Sequence, residues 1–185
     1  MATPLFIKRC LLGTGISFLG MAIVCILLYP AVFQHYEYGL SYFGSISITF
    51  IPYYLGFTLT IIFTLLVARR LQELSRPLSV AFYAFALFMT GVAVTSYSLS
   101  RVAYVIHWAF AIALTVCILV AIFWLLKQGN LTSTDYLLIT TILVTVLVSA
   151  LPIVQAIPIV KVYILREMLV FICSLWLLGR AVSRI

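Results

Sequence analysis

Val102–Leu126 reads VAYVIHWAFAIALTVCILVAIFWLL, and His107 is its sole histidine, with no Lys, Arg, Asp or Glu. An apolar run of this length crosses a hydrocarbon core of ~30 Å as a helix. Arg101 closes it on one side and Lys127 on the other. Working outward, charges, prolines and glycines mark off five more such runs. Together the six are Cys10–Val32, Ser45–Val67, Ser79–Ser98, Val102–Leu126, Ser133–Leu151 and Val162–Leu178. Helices are required because a spanning segment must satisfy its own backbone groups. A transmembrane barrel is excluded by the lack of alternating polar residues.

Composition agrees. Of 185 residues, 65% are hydrophobic and 8% charged, with 11 Lys+Arg against 4 Asp+Glu. A soluble domain carries about 25% charged residues. An ordinary water-soluble enzyme, a disordered chain and a nucleic-acid binder are therefore excluded. The net charge of +7 comes without the long basic run that would track phosphates. Cys10, Cys25, Cys117 and Cys173 lie in or beside apolar runs. Their spacing suits neither zinc nor a redox pair, so they read as small hydrophobes. The expectation is an all-α polytopic membrane protein, one domain over residues 1–185, with six transmembrane helices.

Short loops make neighbouring helices antiparallel. Thr132 followed by Asp135 offers a capping-box start to the fifth helix. Lys8-Arg9 before the first run resembles the basic region of a signal peptide. No small-residue cleavage site stands clearly after it, so the run reads as a retained span. By sequence position one side collects Lys8, Arg9, Arg69, Arg70, Arg76, Lys127, Arg180 and Arg184, and the other only Arg101, Lys161 and Arg166. The excess places both termini in the cytoplasm. Asn130-Leu131-Thr132 then falls on the cytoplasmic side, and its match to a glycosylation acceptor is accidental. No internal repeat is visible.

Small and hydroxylated residues recur at helical spacing. Ser45, Thr49, Tyr53, Gly56, Thr60 and Thr64 do so in the second run, and Thr141, Thr145 and Ser149 in the fifth. Gly13, Ser17 and Gly20 in the first, with Ala84, Gly91, Thr95 and Ser98 in the third, are shorter series. Such stripes serve close helix packing more often than a polar path. Pro52 is expected to kink the second helix near its outer end.

Ionisable groups at membrane depth are costly and mark sites by default. On the low-charge side stand His35, Glu37, Arg101, His107, Arg166 and Glu167, among many tyrosines. Arg101, Tyr104 and His107 repeat at three residues and are expected on one face. Arg166 and Glu167 are adjacent and point about 100° apart, so each needs its own partner. Glu167 is expected to face the interior, with Arg101, His107 or the Tyr53 hydroxyl as partner. Arg166 is expected nearer the interface, reaching Glu37 or lipid phosphate. Interfacial tyrosines belong to any membrane protein, and Glu37, Arg101 and His35 also suit solvated loops. No two potential metal ligands stand at helical spacing, so neither metal nor other cofactor is expected. Ser41 beside His35 is a formal nucleophile–base pair. No phosphate loop, dinucleotide fingerprint or haem-attachment pair occurs.

Several short motifs run in order along the first four helices. They are Leu40-Ser41-Tyr42-Phe43-Gly44, Tyr54-Leu55-Gly56-Phe57, Ala68-Arg69-Arg70-Leu71, Thr90-Gly91-Val92 and His107. Over about 110 residues the chain resembles the domain-of-unknown-function 998 family, small six-helix membrane proteins found mostly in bacteria and archaea. The resemblance carries over Ser41, Gly44 and His107, and implies a cytoplasmic membrane of such a cell. The family's acidic or Asn residue near the end of the third helix is replaced here by Ser98-Leu99-Ser100. It implies a fold and no activity.

Three functions are compatible with these residues. The first is a binding or assembly protein, either an accessory subunit of a membrane complex or a lipid-binding module. Its partners would be membrane lipid, other membrane proteins or itself. The second is an enzyme acting on a lipid at the outer leaflet, with His107 and Glu167 as acid and base. The third is a small transporter, disfavoured by the absence of repeats and of paired broken helices.

Overall fold

A computed structural model describes residues 4–34, 39–95, 101–150 and 163–182. Six α-helices are described: α1 (Pro4–Leu28), α2 (Ser47–Leu71), α3 (Arg76–Val94), α4 (Arg101–Gln128), α5 (Ser133–Ala150) and α6 (Tyr163–Val182). Two short 3-10 helices, η1 (Pro30–Gln34) and η2 (Leu40–Ser45), lie between α1 and α2. No strand occurs among the described residues. Helices α1 to α4 are long and apolar enough to cross a membrane, the mark of a multi-pass membrane protein. In α5 the apolar helix Ser133–Val148 is shorter.

The helix ends differ from those expected. α1 starts at Pro4 and not at Cys10, so Lys8 and Arg9 lie within it. It stops at Leu28, because the proline at position 30 disfavours helical geometry at Tyr29. η1 follows at once. α2 starts at Ser47, with Ser45 still in η2, and runs on to Leu71. α3 opens with Arg76-Pro77, proline being tolerated in a first turn, and ends at Val94.

α1 and α2 are the most intimate pair. A Cβ added at Gly56 would run into Met21, and one added at Gly13 would meet the Phe63 ring at 2.9 Å. Thr49, Tyr53, Thr60 and Thr64 of the α2 stripe are buried, whereas Ser45 is exposed. The Thr60 hydroxyl donates to the Gly56 carbonyl at 2.7 Å and Thr64 to that of Thr60 at 2.7 Å. This stripe is a packing face, and its Thr60 and Thr64 hydroxyls close on their own helix. Thr141 and Thr145 behave likewise, donating to Leu137 and Thr141. The side chains of Ser98 and Ser149 lie outside the described residues. α2 continues through Pro52 as one helix.

Helices adjacent in sequence pack antiparallel where their ends can be matched. The Arg70 guanidinium, near the end of α2, lies 5.2 Å over the Phe6 ring near the start of α1. Arg180 of α6 reaches Asp135 at the start of α5, Nε to Oδ1 2.6 Å. Three apolar clusters form the core. One joins Phe18, Met21, Phe43 and Phe57 with Phe171. A second joins Ile7, Leu11, Val67 and Leu71 with Phe82. The third joins Ile122 and Leu125 of α4 with Ile142 of α5 and Leu177 of α6. All six α-helices contribute to the lining of an apolar void of about 50 Å³, through residues such as Thr14, Thr64, Phe82, Ile122, Ile142 and Ser174.

Candidate functional site

Beyond this void lies a larger cavity of about 420 Å³, at the end where α4 and α6 begin. Phe85, Ile118 and Phe171 border both spaces and stand between them. Phe171 is held by stacking on Phe18, ring centroids 3.8 Å apart. The walls are mainly apolar, including Phe57, Met89, Leu114 and Val170. Four polar side chains border the cavity at its far end: Ser41, His107, Arg166 and Glu167. Cavities of 300–1,000 Å³ with few convergent polar groups are typical ligand sites.

The segment crossing this end is η2. Leu40 and Phe43 are buried and anchor it. Tyr42 N–H donates to the Gly39 carbonyl at 3.0 Å. The Thr49 hydroxyl donates to the Phe43 carbonyl at 2.6 Å and ties η2 to α2. Gly44 lies so close to Tyr53 that a Cβ there would stand 2.7 Å from its ring. Glycine is required by that approach, not by backbone conformation.

Two bonds dock the start of η2 onto other helices. Leu40 N–H donates to Glu167 Oε2 of α6 at 2.7 Å. Ser41 Oγ lies 3.0 Å from His107 Nε2 of α4. Gly39 fits beneath the Glu167 carboxylate, which a Cβ would strike. On its other side His107 Nδ1 is 2.6 Å from the Thr95 carbonyl oxygen and 3.3 Å from Thr95 Oγ1. The carbonyl accepts only, so Nδ1 carries a proton and donates it. In the neutral ring Nε2 is then a lone pair, and Ser41 O–H donates to it. The Thr95 carbonyl is available because it caps the end of α3, where carbonyls lack helical partners. Thr95 Oγ1 in turn donates to the Gly91 carbonyl at 2.6 Å.

Several expectations are corrected. Arg101, Tyr104 and His107 do not share one face. His107 is buried, whereas Arg101 and Tyr104 are exposed. Steps of three residues fall 60° short of a full turn each, so residues six apart diverge by about 120°. Tyr104 packs edge-on to Trp108 instead, centroids 6.3 Å apart. Glu167 turns to η2, bonding the Leu40 N–H and not the expected Arg101, His107 or Tyr53; Tyr53 is buried against Phe57. Arg166 was expected to reach lipid phosphate, but its guanidinium nitrogens are buried. The i, i+1 geometry sends the two side chains in different directions and still leaves both on the cavity.

Ser41 pairs with His107, and the expected pairing with His35 lies outside the described residues. His35 and Glu37 lie outside the described residues. In the sequence Thr95 shows only as part of a packing stripe, and the Leu40 backbone carries no signal at all. Among the described residues no group of three His, Cys, Asp or Glu side chains is placed to hold a metal. Comparison with protein-family models, curated proteins and solved structures found no match.

Proposed function

We propose that this chain is a six-span membrane protein, both termini cytoplasmic, that binds an amphiphilic ligand from the outer leaflet in the 420 Å³ cavity. One observation carries the reading. An apolar chamber ends in a charged and hydrogen-bonding set, Ser41, His107, Arg166 and Glu167. That distribution suits a molecule with a hydrocarbon tail and a polar head, which in a membrane is a lipid. The orientation rests on the excess of Lys and Arg at the opposite side. A bacterial or archaeal cytoplasmic membrane follows from the resemblance given above. Service as a subunit of a larger complex is compatible with this binding and is read in the same experiment.

The test is purification in mild detergent followed by native mass spectrometry. Wild-type protein is expected to retain lipid at about one molecule per chain. Ala111→Trp, which places an indole in the cavity where Ala111 lines it, is expected to lose that lipid while keeping its thermal midpoint. Equal lipid retention by both proteins would remove the cavity as the site. A stoichiometric protein partner would identify the subunit role.

A further inference from the structure

Ser41, His107 and the Thr95 carbonyl form a continuous chain. The serine hydroxyl lies 3.0 Å from Nε2, and Nδ1 lies 2.6 Å from the carbonyl oxygen. A nucleophile and a base within hydrogen-bond reach, the base oriented by a third group, is the general arrangement of nucleophilic catalysis. Each member comes from a different element: η2, α4 and the end of α3. Ser41 and His107 are 7% and 3% exposed, and both border the cavity. A buried hydroxyl–imidazole pair facing solid protein would read as structural. This pair faces a chamber large enough for an acyl chain.

We infer that Ser41 is a nucleophile and His107 its general base in an acyl-ester hydrolase, the acyl chain of an amphiphilic ester lying in the cavity. The inference rests on the amphiphile-binding reading and adds chemistry to it. Ser41 Oγ attacks the ester carbonyl carbon, and an Oγ–C bond forms as the hydroxyl proton moves to His107 Nε2. The imidazolium keeps its Nδ1–H on the Thr95 carbonyl. Arg166 borders the same cavity, and its positive charge would stabilise the oxyanion of the tetrahedral intermediate. Collapse breaks the ester C–O bond. The leaving alkoxide takes the proton from Nε2 and departs as the alcohol, leaving acyl-Ser41. Water then attacks the acyl carbon and gives a proton to Nε2. The second collapse frees the carboxylic acid, and Oγ recovers its proton.

An alkyl fluorophosphonate tests this on the full chain in detergent, with adducts mapped by mass spectrometry. In folded wild-type protein the adduct is expected on Ser41, and heat-denatured protein is expected to show none. Ser41→Ala should abolish labelling, and His107→Gln should slow it by about 10²–10⁴-fold, the usual contribution of a general base. p-Nitrophenyl octanoate hydrolysis should fall in parallel in both variants. If either variant fails to fold, the site of the wild-type adduct decides. No adduct on folded protein, or an adduct elsewhere, overturns the inference. Lipid retained without labelling sinks the catalysis and leaves the binding standing; loss of both sinks the two together.

Discussion

Glu167 carries its role through one short bond, the 2.7 Å contact from Leu40 N–H. A backbone donor docked by a carboxylate makes a charge-assisted bond, roughly twice as strong as a neutral one. Glu167→Ala removes the carboxylate that accepts from that N–H and is expected to cost about 1–3 kcal/mol. Glu167→Gln retains an oxygen and should cost less than half as much. Thermal unfolding in detergent compares the two, and equal losses would show that the bond to Leu40 carries no weight. Adding a methyl at Gly39 meets the same carboxylate, so Gly39→Ala should displace η2 and with it Ser41. The Glu167 side chain is legible in sequence as a costly acid one turn inside an apolar run. Its partner is a backbone group 127 residues away, and no side-chain pattern announces one.

At the scale of the element, α5 shows how a local motif is completed from outside. Asp135 was expected to reach back and cap the helix with Thr132. It does so, accepting from Thr132 N–H at 2.7 Å. The Thr132 hydroxyl departs from the capping box, donating to the same carboxylate at 2.8 Å. Arg180 of α6 then binds both residues, Nε to Asp135 Oδ1 at 2.6 Å and Nη2 to Thr132 Oγ1 at 2.8 Å. Asp135 is fully buried and Arg180 one third exposed. Arg180→Ala leaves a buried carboxylate without its cation, which is expected to cost about 1–3 kcal/mol after allowing for solvent at the arginine. Thr132→Val keeps the ion pair and should cost about 1 kcal/mol. Chemical denaturation of both variants ranks them, and a larger loss for Thr132→Val would show that the cap outweighs the pair.

For the whole molecule, the two ends differ in chemistry. One has the Arg70–Phe6 contact and the Asp135–Arg180 clasp; the other has the cavity with Ser41, His107, Arg166 and Glu167. The positive-inside excess predicts that the first end is cytoplasmic. An export-dependent phosphatase fused at Gly129 should be inactive, and one fused after Leu99 should be active. The reverse pattern would turn the molecule over and place the cavity at the inner leaflet.

What the sequence determined by itself is whatever depends on neighbours a few residues away. Apolar run length made the helices, Tyr29-Pro30 ended the first, and Thr132 with Asp135 began the fifth. The 3.6-residue period brought Thr49, Tyr53, Gly56, Thr60 and Thr64 onto one packing face. The pairing of Ser41 with His107, Glu167 with Leu40 and Arg180 with Asp135 was settled only in the tertiary structure, across 66, 127 and 45 residues. Those pairings depend on how far each helix is rotated and slid against its neighbours. Around the uniformly apolar α4 hydropathy is nearly the same on every side and leaves that rotation open, so side-chain volumes and close glycine contacts choose among the faces.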